Sequence, residues 1–178
     1  MSADVNNMTS AITKTTIESN AYDNVVAYLN DRSIVTDPRD PSGYSGRLFV
    51  YDVDPLAKSM NFGDYPYIVA EYPNVEYSKV SVDGKTKEIQ WTMRIMVRTA
   101  RDGAGQGTSG KGKTDMFTIA DSLHSLFNSD TYKKQFATLN MHFMNLTKTD
   151  SSTPLIDQKY LYQNDYTLTF IERLQVST

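Results

Sequence analysis

Eight consecutive residues, Gly107-Thr108-Ser109-Gly110-Lys111-Gly112-Lys113-Thr114, fit the phosphate-loop pattern G-x-x-x-x-G-K-[ST] at every fixed position. In that chemistry the backbone N–H groups of a glycine-rich loop cradle an anion at a helix N-terminus. Lys113 would then sit on a phosphate and Thr114 on a metal ion. The overlapping string Gly105-Gln106-Gly107-Thr108-Ser109-Gly110 also fits G-x-G-x-x-G, a pattern from an incompatible fold. Two such matches in one stretch point to its composition, since five of the nine glycines fall between Gly103 and Gly112. A surface loop carrying two lysines is the competing reading. Other residues with chemical potential are sparse. His124 and His142 have no second ligand at metal spacing. No serine sits in G-x-S-x-G. Asp37, Asp40, Asp52 and Asp54 could bind a cation or act as acid and base, but turn formation around their prolines explains the same residues more cheaply. Met93, Met96, Met116, Met141 and Met144 fall at core or interface positions. The sequence therefore assigns no catalytic, cofactor-binding or metal residue, and no cofactor.

The elements needed to hold a phosphate loop are only partly present. The apolar run Leu48 to Tyr51, ended by Asp52, resembles a strand with a metal-holding aspartate, but it precedes the loop. The strand before the loop should lie in a parallel sheet and be apolar on both faces. Here Ile89, Trp91, Met93, Ile95 and Val97 alternate with Gln90, Thr92, Arg94, Met96 and Arg98, which predicts one dry and one wet face. Ala100 to Gln106 also intervene between strand and string.

The 178 residues suit one domain with a sizeable core. No apolar run approaches the roughly 18 to 20 residues a membrane helix needs, and Met1 to Asp4 do not begin a secretion signal. Cysteine is absent, which removes thiol catalysis, thiolate metal sites and disulfides. A net charge of −3 argues against tight non-specific binding of nucleic acid. Twelve tyrosines against one tryptophan suit half-buried strands and subunit interfaces.

The expected organisation is a flexible polar tail over residues 1–14 and a single α+β domain over 15–178, with a mobile glycine-rich loop at 100–113. A first helix is predicted for Thr15 to Asn30, with Tyr22, Val25, Val26 and Leu29 on one stripe. Strands are predicted at Leu48 to Tyr51, Tyr67 to Glu71 and Val75 to Val82. The hairpin signal Asp83-Gly84 then leads into the alternating strand. A second helix opens at Thr114, read as its N-cap, and turns Met116, Ile119, Ala120, Leu123 and Phe127 inward. Leu139 to Thr147 is read as a strand whose faces stay open, Thr149 to Pro154 as a loop, and Tyr160 to Leu174 as a last strand. In that strand Tyr162, Tyr166, Leu168 and Phe170 alternate with Gln163, Asp165, Thr167 and Thr169. The sum is an antiparallel or mixed sheet of about four to six strands with two main helices packed on one face.

Taken in order, several blocks resemble one family. Gly46-Arg47-Leu48-Phe49-Val50-Tyr51-Asp52, followed by Tyr65-Pro66-Tyr67-Ile68-Val69, is similar to a segment of tailed-bacteriophage tail terminator (tail completion, head-tail joining) proteins. The helix residues Ile119-Ala120-Asp121-Ser122-Leu123 and the closing strand Tyr166-Thr167-Leu168-Thr169-Phe170 follow in the order that family shows. The likeness spans Thr15 to Leu174 and extends to related neck and minor tail proteins. It implies a non-enzymatic virion subunit, assembled in the host cytoplasm, that forms a homo-oligomeric ring, commonly a hexamer. The ring caps the tail tube, stops its polymerisation and meets the head-completion or connector protein. Genomic DNA passes through its lumen without sequence-specific binding, and no membrane is involved. The alternative is a small nucleotide-binding protein using Gly107 to Thr114.

Overall fold

The computed structural model describes residues 14–43, 46–55, 65–80, 86–102, 112–156 and 159–175. The elements run α1 (Lys14–Asn30), β1 (Val50–Tyr51), β2 (Tyr67–Ala70), β3 (Asn74–Val80), β4 (Thr86–Asp102), α2 (Gly112–Asn128), α3 (Asp130–Thr138), β5 (Met141–Ser152), β6 (Leu155–Ile156) and β7 (Lys159–Gln175). The α+β class holds. Among the described residues the sheet has seven strands in the order β1-β2-β4-β7-β5, with β3 also on β4 and β6 also on β7. β1 and β6 contribute two residues each. β4 and β7, both 17 residues long, pair antiparallel from end to end, Thr86 with Gln175 through Asp102 with Lys159. β1 and β2 run parallel and make the sheet mixed.

Periodicity explains the covered face. Ile89, Trp91, Met93, Ile95 and Val97 are fully buried on β4, as are Leu168 and, nearly, Tyr166 and Phe170 on β7. Trp91 stacks on Phe170 with ring centroids 5.6 Å apart. α2 lays Met116, Ile119, Leu123, Leu126 and Phe127 on this face, and α1 adds Ala21, Val25 and Leu29. Each such large side chain contributes about 1.5–3 kcal/mol by leaving water.

Several expected boundaries move. α2 begins at Gly112, so Thr114 lies inside its first turn and is not the N-cap. Ala100 to Asp102 belong to β4, and Gly112 and Lys113 to α2, so the glycine-rich connection narrows to 103–111, which lies outside the described residues. Residues 1–13, the Asp83-Gly84 turn, and Gly107 to Lys111 of the phosphate string lie outside them too. Lys14, placed in the tail, is helical. β1 keeps only Val50 and Tyr51 of its expected run. The loop expected from Thr149 is strand as far as Ser152, because β7 offers partners down to Gln163. A third helix, α3, was not expected. Ser129 caps it, its hydroxyl accepting the Thr131 N–H at 3.3 Å, and Phe136 is its buried anchor.

Candidate functional site

The second face of the sheet departs from the wet surface that alternation predicts. Met96 is 2% exposed and Arg98 4% exposed. Tyr65, Tyr67 and Val69, with Leu161 from β7, pack around Met96 and Ala100 as a second apolar cluster. Into it runs a chain of alternating charges. Tyr67 donates its hydroxyl to Asp54 at 3.0 Å. Arg98 lies 3.4 Å from Asp54 through Nε and 2.6 Å from Asp165 through Nη1. Arg94 meets the other Asp165 oxygen at 2.5 Å and Glu71 at 3.6 Å. Burial works to raise the Asp165 carboxyl, but the hydrogen bonds from Arg98 and Arg94 outweigh it and hold the group below its ordinary value. Burial, then the Asp54 charge, pushes the Tyr67 phenol up. Each carboxylate in the chain faces a cation, so the arrangement clamps the segment before β2 onto the sheet and offers no poised acid or base.

A second ionic hub joins the blocks that carried the family resemblance. Asp37 is fully buried. Its carboxylate takes Arg47 Nε at 2.9 Å through one oxygen and the Arg39 N–H at 3.0 Å through the other. The same Arg47 guanidinium donates to the Tyr65 carbonyl at 3.2 Å and to the Pro66 carbonyl, across a cis Tyr65–Pro66 bond. Arg32 sits over the Phe49 ring at 4.4 Å. The expected acidic cluster is thus divided. Asp37 is a counter-ion to Arg47, Asp40 is buried in the turn whose carbonyl accepts Gly43, Asp52 is exposed, and Asp54 belongs to the Arg98 chain. Among the described residues no three His, Asp or Glu side chains lie together as metal ligands.

Of the phosphate string, Gly112, Lys113 and Thr114 form the first turn of α2. Gly112 is required there by close packing, since a Cβ would meet the Tyr162 ring at 2.7 Å. Its carbonyl accepts the Thr99 hydroxyl at 2.5 Å. Lys113 Nζ lies 5.7 Å from the Phe117 ring, at the rim of a 360 Å³ hollow shared with Lys148, Ser151 and Thr153. β4, which leads toward the string, is antiparallel to β2, β3 and β7. His124 is exposed on α2, 3.2 Å from the Asn128 amide and edge-on to Tyr166. His142 is half-buried on β5, beside Met141. The two histidines are on separate elements.

The remaining candidate is surface. Among the described residues β5 pairs only with β7, and β3 only with β4, which leaves two unlike sheet edges. At the start of β5, Phe143 adopts φ +54° and is 68% exposed. Sequence reasoning missed it because nothing local marks a bulge there. No helix among the described residues is long and apolar enough to cross a membrane. The chain matches no family model and no curated protein.

Proposed function

We propose that this chain is a non-enzymatic virion subunit: a tail terminator that closes into a ring on the tail tube, stops its growth and joins it to the head connector. The observation that carries the reading is the Arg47 hub, because it links the two sequence blocks on which the family resemblance rests. Arg47, from the first block, binds the Tyr65 and Pro66 carbonyls of the second. The other support is chemical. The buried carboxylates of Asp37 and Asp165 are each paired with an arginine within the fold, and among the described residues the sheet presents two different edges suited to head-to-tail contact. Sequential copies joined in that way form a closed ring when the rotation between them closes, with two unlike ring faces for two unlike partners.

Electron microscopy of particles assembled without this chain tests the proposal. Overlong tails, or tails without heads, are the expected result, restored to normal when the chain is supplied. Particles of ordinary tail length and full infectivity would sink it.

A further inference from the structure

We propose that the hollow between α1 and the start of β5 is a binding site for a guanidinium group, with Glu172 as its counter-ion. Glu172 lies near the end of β7, across from Ile89 of β4 and Met141 of β5, on the side that the helices cover. Trp91 donates its indole N–H to one carboxylate oxygen at 3.2 Å. Among the described residues the other oxygen receives no donor, and the carboxylate has no cation. Asp37 and Asp165 set the contrast, since arginines meet both. Burial raises the Glu172 carboxyl and only the indole works against it. A half-buried carboxylate held by one neutral donor is a cost to the fold, and an entering cation offsets it.

The lining of the hollow selects the kind of cation. Its volume is 320 Å³, at the small end of those that hold ligands. Exposed Asp23 of α1 adds a second carboxylate at the same hollow, and among the described residues no lysine or arginine borders it. A bare divalent cation is a poor fit, because no three His, Asp or Glu side chains lie together among the described residues. An ammonium is strongly hydrated and costly to strip of water in so confined a space. A guanidinium is more weakly hydrated, and its planar fork carries several donors. They suit the free Glu172 oxygen and the amide carbonyls of Asn24 and Asn140, which also line the hollow. Leu139 and Met141 supply the apolar wall that the stem of an arginine side chain needs.

Calorimetric titration of the full chain with N-acetylarginine methylamide tests the site at neutral pH and low salt. Saturable binding is expected, accompanied by a shift in the emission of Trp91, the single tryptophan. Glu172→Gln keeps the shape of the side chain and should weaken binding at least about tenfold. Glu88→Gln, on an exposed carboxylate already paired with Arg173, should leave binding unchanged. The capped citrulline analogue, which has the same shape without the charge, should bind at least about tenfold more weakly. L-Arginine itself separates two sources of the same group. Tighter binding of the free amino acid assigns the hollow to a small molecule, and equal or tighter binding of the capped residue assigns it to an arginine of a partner chain. No saturable binding, equal binding of the citrulline or capped lysine analogue, or undiminished binding by a folded Glu172→Gln variant would each overturn the proposal. The site stands or falls independently of the ring reading, because tail length in particles lacking the chain does not bear on it.

Discussion

The two faces of the sheet come from the same alternating strands and are held in opposite ways. Under the helices, Trp91, Ile95, Leu168 and Phe170 interlock as hydrocarbon. On the other side, Met96 and Tyr67 share their cover with Arg98, Arg94, Asp54 and Asp165. The first face gains from every methylene removed from water and tolerates imperfect geometry. The second depends on pairing, because a buried charge that loses its partner costs more than the pair contributes. The carboxylates show the contrast. On the helix side Glu172 is raised by burial, only partly offset by the Trp91 indole N–H at 3.2 Å. On the other side Asp165 is lowered by its two arginines against the pull of burial.

Four measurements would break or sharpen that contrast. The largest effect is expected from Trp91→Ala, about 3–5 kcal/mol of lost stability in urea unfolding, from the ring contacts and the cavity left behind. Asp165→Ala comes next, near 3 kcal/mol, because Arg98 is left buried with its best partner gone. The double variant Arg98→Met, Asp165→Leu should recover most of that loss. A double variant as damaged as the single one would mean the second face needs its charges for more than mutual neutralisation.

Acid should act on the two faces with opposite sign. Asp165 is depressed, so its contribution is present above the unfolded carboxylate value of about 3.9 and is lost as pH falls through its folded value. Glu172 is raised, so its burial opposes folding at neutral pH and ceases to do so as it protonates. Melting curves from neutral pH down to the acid range should therefore show Asp165→Asn flattening the acid loss. Glu172→Gln should raise the melting temperature at neutral pH and change little in acid. Equal behaviour of the two variants would erase the distinction. The smallest effect belongs to Lys113→Ala, within about 0.5 kcal/mol for an exposed lysine, with assembly unchanged. Calorimetric binding of Mg-ATP by the parent chain, abolished by this substitution, would instead revive the nucleotide reading.

What could be read from the sequence follows the range of the interactions. The α2 stripe and the apolar parity of β4 were legible because period alone decides them. α3 was not, because Phe136 is its one buried residue and the Ser129-Asp130 capping signal is short. The burial of Arg98 was illegible because Asp165 lies 67 positions away and only strand pairing brings it there. Asp37 looked like a turn residue for the same reason, its partner Arg47 lying beyond the turn. The phosphate string was the loudest local signal, but matching letters carry no information about strand direction, and β4 is antiparallel to its neighbours. The outward turn of Phe143 depends on a register slip that no residue near it announces.

The full-length pairing of β4 with β7 also governs how the chain comes into being. Glu88 and Arg173 meet across 85 positions, with two helices and β5 synthesised between them. Contacts this distant in sequence are slow to form. Until that late partner is synthesised, the N–H and C=O groups along the β7 side of β4 have no strand to pair with, a ready target for chaperones and for the strands of other unfinished copies.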